Sequence, residues 1–153
     1  MREQSGRTLI EVIGVLVIAC MMSVSAIGIY NSIRNSQKRT IAAAELEQIA
    51  QNTKLLMKIR GDYSGLSVDY LIKAGALKNN DAPIGDKNWS VTPSTDGKSF
   101  SITINELTSG ECDFFATKKI SWASKIMVNG IEQTPESDNC FSSRTNQISF
   151  LVE

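Results

Sequence analysis

Glu11 is the residue whose chemistry most needs an explanation. It lies in "GRTLIEVIGVLVIACMMSVSAIGIY", residues 6 to 30, at the edge of an uncharged run from Val12 to Ile29 in which Ser23 and Ser25 are the only hydroxylated residues. An ionised carboxylate at bilayer depth is unfavourable by roughly 2.5–3.5 kcal/mol on insertion scales, and it persists where a partner or a function holds it. Glu11 therefore needs a partner. The other reactive side chains are cysteines: Cys20 within the apolar run, and Cys112 and Cys140 in the polar remainder. Histidine is absent from all 153 residues. That removes the commonest general base, the usual catalytic zinc ligand and every Ser-His-Asp or Cys-His arrangement. An enzyme is disfavoured and no cofactor is implied; a site built on Asp, Glu or Lys is the remaining catalytic option.

The elements that must position these residues divide unevenly along the chain. Composition is 42% hydrophobic, ordinary for a folded protein, but the apolar residues concentrate before Asn31 while the remainder is rich in Ser, Thr, Asn and Lys. That pattern describes a membrane anchor joined to a soluble head. Net charge is zero with scattered signs, so no footprint for nucleic acid is visible. In a chain exported to an oxidising compartment Cys112 and Cys140 would be expected to pair, closing a loop over Asp113 to Asn139 worth roughly 3–4 kcal/mol. In the cytosol they would be two unrelated buried thiols. Cys20, fixed at membrane depth, is expected to stay free.

No proline occurs between Thr8 and Pro83, which permits a helix from the anchor far into the polar region. From Thr8 to Arg60 such a helix would be about 80 Å long. Its polar half carries two stripes: Ala42, Leu46, Ile49, Ala50, Thr53, Leu56 and Met57 on one face, and Ile41, Leu55 and Ile59 nearly opposite. The first fits packing on the head. The second fits either other copies of the chain or a helix buried on both sides within one head. Gly61 and Asp62 supply a stop. A shorter helix is predicted over "SVDYLIKAGAL", capped by Ser67 and ending near Gly75. "WSVT" and "SFSITI" read as a hairpin around Gly97, and "NELTSGECDFFATKKI" as a helix turning Leu107, Cys112, Phe115 and Ala116 inward. "SKIMV", a turn at Asn129-Gly130, "IEQT" and "QISFLV" complete an antiparallel sheet. The predicted class is α+β, with this sheet packed on the long helix.

Two weaker signals point to bland readings. "NDAPIGDKN" lacks the alternating ligand register and closing glutamate of an EF-hand and reads as a solvated turn, so no metal site is expected. Asn88-Trp89-Ser90 matches a glycosylation acceptor pattern that arises often by chance.

The opening stretch is more specific. Gly6, Arg7, Thr8-Leu9-Ile10-Glu11 and the apolar helix that follows closely resemble the processing and assembly signal of type IV pilins. "RGDYSG", "TINELTSGEC" and "NCFSSRTNQISFLV" are similar to type IVb pilins, including those of conjugative thin pili. The resemblance implies a prepilin peptidase that cuts after Gly6 and methylates the new amino terminus at Arg7, with Glu11 as the assembly carboxylate whose partner is the terminal amine of a neighbouring subunit. It also implies a disulfide between Cys112 and Cys140 bounding the surface-exposed part of the head. The chain departs from the family pattern in the charge of Arg7, where an apolar residue is common.

The expected organisation is a leader at 1–6, a transmembrane and assembly half-helix at 7–30, an amphipathic half-helix at 31–60 and a globular head at 61–153 with the disulfide-bounded region 112–140. The implied function is a structural subunit that polymerises through its first helix into a type IVb-like pilus for adhesion, aggregation or conjugative contact. Its partners would be further copies of the chain in a helical filament, the prepilin peptidase, the pilus assembly machinery and, before assembly, the inner membrane. The head would be periplasmic first and extracellular on the pilus afterwards. The alternatives are a minor pilin, a type II secretion pseudopilin, or a membrane-anchored periplasmic enzyme or binding module. Paired head cysteines count against a major pseudopilin.

Overall fold

The computed structural model describes the backbone of residues 2–153; the side chains of residues 2–8, 19–28 and 32 lie outside the description, and with them Gly6, Arg7 and Cys20. A single helix, α1, runs Arg2–Arg60. It stops where the sequence changes to glycine: Gly61 adopts φ +96°, a conformation other residues enter at a penalty, and donates its N–H to Met57 O at 2.8 Å. Lys58 and Arg60 in the last turn face the negative end of the helix dipole. The chain forms two compact units, Met1–Gln37 and Lys38–Glu153.

In the first unit Leu9, Ile10, Val12, Ile13, Val15, Leu16, Val17 and Ile18 are all exposed, as are Ile29, Tyr30 and Ile33. Among the described residues no helix is long and apolar enough to cross a membrane. The middle of the apolar run, residues 19–28, falls outside the described side chains.

The second unit is built on α1 from Lys38 onward. Ala42, Leu46, Ile49, Ala50, Thr53 and Met57 are buried at helical spacing, whereas Ile41, Leu55 and Ile59 stay exposed, Ile59 by 91%. The head thus covers one of the two stripes and leaves the other bare. After α1 come α2 (Val68–Lys73), β1 (Ser90–Pro93), β2 (Phe100–Leu107), α3 (Ser109–Thr117), β3 (Lys125–Val128), β4 (Ile131–Glu132) and β5 (Asn146–Val152). Ser67 caps α2, its hydroxyl accepting from Tyr70 N at 3.1 Å.

The five strands form one antiparallel sheet in the order β1-β2-β5-β3-β4. The last strand therefore enters its middle. Period-2 alternation sends Phe100, Ile102 and Ile104 of β2, and Ile148, Phe150 and Val152 of β5, into the core, all fully buried. Phe150 contacts the rings of Phe115 and Trp122 at 5.9 and 5.3 Å between centroids. The opposite face is polar: Thr103 and Ser149 hydroxyls meet across the strands at 2.8 Å, and Gln147 Nε2 donates to Asn105 Oδ1 at 2.7 Å.

Two local expectations need correction. Leu107 is buried as the last residue of β2 rather than on a helix, because the capping residue Thr108 starts α3 only at Ser109. The 80–88 segment is no solvated turn: Ala82, Ile84 and Trp89 are within the core, and an antiparallel bridge joins Asp81 to Asn88. The apolar side chains outweigh the charges around them, which remain at the rim.

Gly85 permits this inward fold. Its φ is +67°, and a Cβ there would run into Asn105 O and stand 2.9 Å from Ile104 Cγ2. Gly85→Ala should destabilise the head by roughly 2–3 kcal/mol through backbone strain and overpacking. Urea unfolding followed by circular dichroism measures it, and an unchanged midpoint would show that the loop yields without penalty.

Candidate functional site

The described part of the candidate assembly segment is a helix surface, not a cleft. Glu11 is exposed on α1, with exposed Leu9, Ile10, Val12, Ile13 and Val15 around it. It is the only acidic residue between Leu9 and Tyr30. An apolar helix surface that its own chain leaves uncovered is the kind of surface other helices or lipid must cover.

The second candidate surface is the disulfide-bounded face. Cys112 Sγ and Cys140 Sγ are bonded at 2.04 Å, joining α3 to the segment that precedes β5. The start of α3 is fixed by a capping box: Thr108 Oγ1 accepts from Glu111 N, and Glu111 Oε2 accepts from Thr108 N, each at 3.3 Å. That places Cys112 one turn in, fully buried, while Cys140 is half-buried.

Beyond the disulfide, two asparagines shape this face. Asn146 is fully buried in the inward register of β5, where every other residue is apolar. Its Nδ2 lies within hydrogen-bonding distance of Leu107 O (3.2 Å), Phe141 O (2.9 Å) and Ser143 O (3.0 Å). Its Oδ1 accepts from Phe141 N at 2.6 Å and from Asn129 Nδ2 at 3.0 Å. Asn129, at φ +51°, forms the β3–β4 turn with Gly130 at φ +82°; its Nδ2 also donates to Asn139 O at 2.8 Å, and its Oδ1 accepts from Gln147 N at 2.9 Å. A buried amide with its capacity filled holds backbone that has no ladder of its own. The result is an exposed loop, Phe141 to Thr145, held at its base; Phe141 is 56% exposed.

Sequence reasoning assigned Asn129 to a turn and missed Asn146. The available signal was its place two residues before Ile148, which puts it in the inward register one residue ahead of a strand read as starting at Gln147.

Elsewhere the head carries a groove of about 830 Å³ between α1 and the chain from Ile72 to Asp81, floored by Ile49 and Trp89 and rimmed by Glu45 and Asp81. Partial burial raises the Glu45 carboxyl above its ordinary pKa by desolvating the charged form. The Ser94 hydroxyl, donating at 2.5 Å, and the Lys98 amide hold the exposed Asp96 carboxyl below its own. Among the described residues no group of three or more His, Cys, Asp or Glu is placed to hold a metal ion.

No family model matches the chain, and no curated protein matches it by sequence. Its structure does have a counterpart. The crystal structure of TcpA, a type IV pilin from Vibrio cholerae El Tor biotype, superposes with a TM-score of 0.60 at 16% identity, covering 76% of this chain and 99% of that one. This chain has the type IV pilin fold, as the motifs of its first helix and head implied.

Cys112→Ser should destabilise the head by roughly 2–5 kcal/mol. Asn146→Ala removes the hydrogen-bond partner of the Leu107, Phe141 and Ser143 carbonyls and of the Phe141 N–H, and should lower stability by about 2–4 kcal/mol. Because both changes free the same segment, the double variant should fall short of the sum by roughly 0.5–3 kcal/mol in urea melts. Full additivity would mean that the disulfide and the amide act on separate parts. For pH, the two shifted carboxyls act oppositely. The stabilisation from Asp96 is complete above the ordinary aspartate pKa of about 3.9 and is lost as pH falls through the lower folded value. That from Glu45 is complete below about 4.3 and is lost as pH rises through the raised folded value. Melts from acid to neutral pH should show Asp96→Asn flattening the acid limb, while Glu45→Gln raises stability slightly at neutral pH only.

Proposed function

We infer that this chain is a structural subunit that polymerises through α1 into a type IV pilus-like filament, with the disulfide-bounded face of its head turned outward. The observation that carries this reading is the pairing of a pilin fold with an α1 whose described side chains from Leu9 to Ile18 are apolar and uncovered, apart from Gly14 and the single carboxylate Glu11. Packing such helices side by side removes their apolar surface from water. It would also bring Glu11 near a neighbour's amino terminus, where amine and carboxylate attract strongly in a low-dielectric bundle and either alone is penalised. Within the head, the bare stripe of Ile41, Leu55 and Ile59 is a second apolar surface that supports copies of the chain as its cover.

Cleavage after Gly6, methylation of Arg7, membrane anchoring through residues 7–30 before assembly and display on the cell surface belong to this proposal. Their support is the match of Gly6, Arg7 and Glu11 to the pilin signal and the uncharged run from Val12 to Ile29. The disulfide supports an oxidising compartment for the head.

The test is Glu11→Gln in the native host. The change keeps size and removes charge, so membrane insertion should persist while sheared surface filaments become sparse. Amino-terminal sequencing of assembled subunits should begin at N-methylated Arg7 in the wild-type chain, and the variant should still be processed and carry the disulfide. Abundant filaments from the glutamine variant would remove Glu11 from the assembly mechanism, and Met1 retained in filaments would remove the processing step.

A further inference from the structure

Asn129-Gly130 is the only Asn-Gly pair in the sequence. Glycine has no side chain to shield its amide, so its nitrogen can attack the preceding carboxamide. The Gly130 nitrogen bonds to Asn129 Cγ and gives its proton to solvent, while the Cγ–Nδ2 bond breaks and Nδ2 leaves, protonated, as ammonia. Water then opens the cyclic imide to aspartate or isoaspartate. The net reaction consumes one water and releases one ammonia, with no oxidant or reductant.

The fold bears directly on this reaction. Closing the ring requires Cγ to turn toward Gly130, yet the carboxamide is seated by three hydrogen bonds, to Asn139 O at 2.8 Å, Asn146 Oδ1 at 3.0 Å and Gln147 N at 2.9 Å. All three must break first, so the rate becomes the intrinsic rate multiplied by the fraction of molecules locally open. The product cannot resume the seat. An aspartate oxygen in place of Nδ2 would face two acceptors, Asn139 O and Asn146 Oδ1, with no proton to offer either. An isoaspartate would lengthen the backbone inside the tight turn. Asn146, which organises Phe141 and Ser143, would lose one of its partners.

We propose that Asn129 is a deamidation site gated by the fold: its seated carboxamide suppresses the reaction in the intact head, and its conversion releases the segment from Gln133 to Thr145 while the disulfide still tethers Cys140. The outward face would then change shape with age or after transient unfolding, without any bond in the chain being cut.

The test compares the full wild-type chain in detergent micelles at mildly alkaline pH with the same chain in urea, disulfide intact, by peptide mass mapping after acidic digestion. In urea deamidation should concentrate at Asn129; in the folded chain it should be at least about tenfold slower there. Asn88, exposed and followed by tryptophan, serves as an internal comparison. Equal rates at Asn129 in the two conditions would overturn the gating. In a second measurement, Asn129→Asp in the full chain should speed amide exchange between Gln133 and Thr145 by about tenfold or more, with β2 and β5 unchanged. Unchanged exchange in that segment would overturn the release. The rate comparison uses only the wild-type chain and decides the gating whether or not the variant folds.

Discussion

Apolar helix surface left facing water is unfavourable, and the fold is arranged around that constraint. From Lys38 to Arg60 the head solves half of it by laying a sheet and two short helices over Ala42, Leu46, Ile49, Ala50 and Met57. Among the described residues nothing covers the rest. The apolar side chains from Leu9 to Ile18, and those of Ile41, Leu55 and Ile59, remain exposed, the kind of surface that lipid or other copies of the chain would cover. Type IV pilin architecture is what results when a small α+β head is attached to such a helix.

Within the head, a second constraint is the placement of β5. Because it pairs with both β2 and β3, residues distant in sequence must meet before the sheet closes. The loop from Gln133 to Thr145 that delivers it lacks a ladder of its own and is held instead by the Cys112–Cys140 bond and by the amides of Asn129 and Asn146. One holds by covalent tether, the others by filling backbone hydrogen-bonding capacity. The surface loop at Phe141 is therefore an exposed feature held at its base by these contacts.

What was legible in the sequence follows from how local each feature is. The stop at Gly61, the cap at Ser67, the turn at Asn129-Gly130 and the two stripes on α1 depend on neighbours within a turn or on helical spacing, and the structure shows them where the residues indicated. The strand order was not legible, since alternation gives each strand a buried face but does not say which strands pair. Asn146 escaped because all but one of its partners are backbone groups, which have no residue type. The inward packing of Ala82 and Ile84 escaped because charged neighbours masked two apolar residues. Glu11 stands out by the mismatch between its charge and its surroundings, which needs no fold to be seen, while its assembly role is what the pilin resemblance implies.

The central claim is that copies of this chain cover one another's apolar helices. Electron cryo-microscopy with helical reconstruction of filaments sheared from the cell surface tests it most directly. The account predicts α1 helices bundled at the filament axis, Glu11 beside a neighbour's terminal amine, Ile41, Leu55 and Ile59 out of solvent, and the face from Cys112 to Cys140 outside. A reconstruction with Glu11 far from any amino terminus and the Ile41 stripe facing water would contradict it.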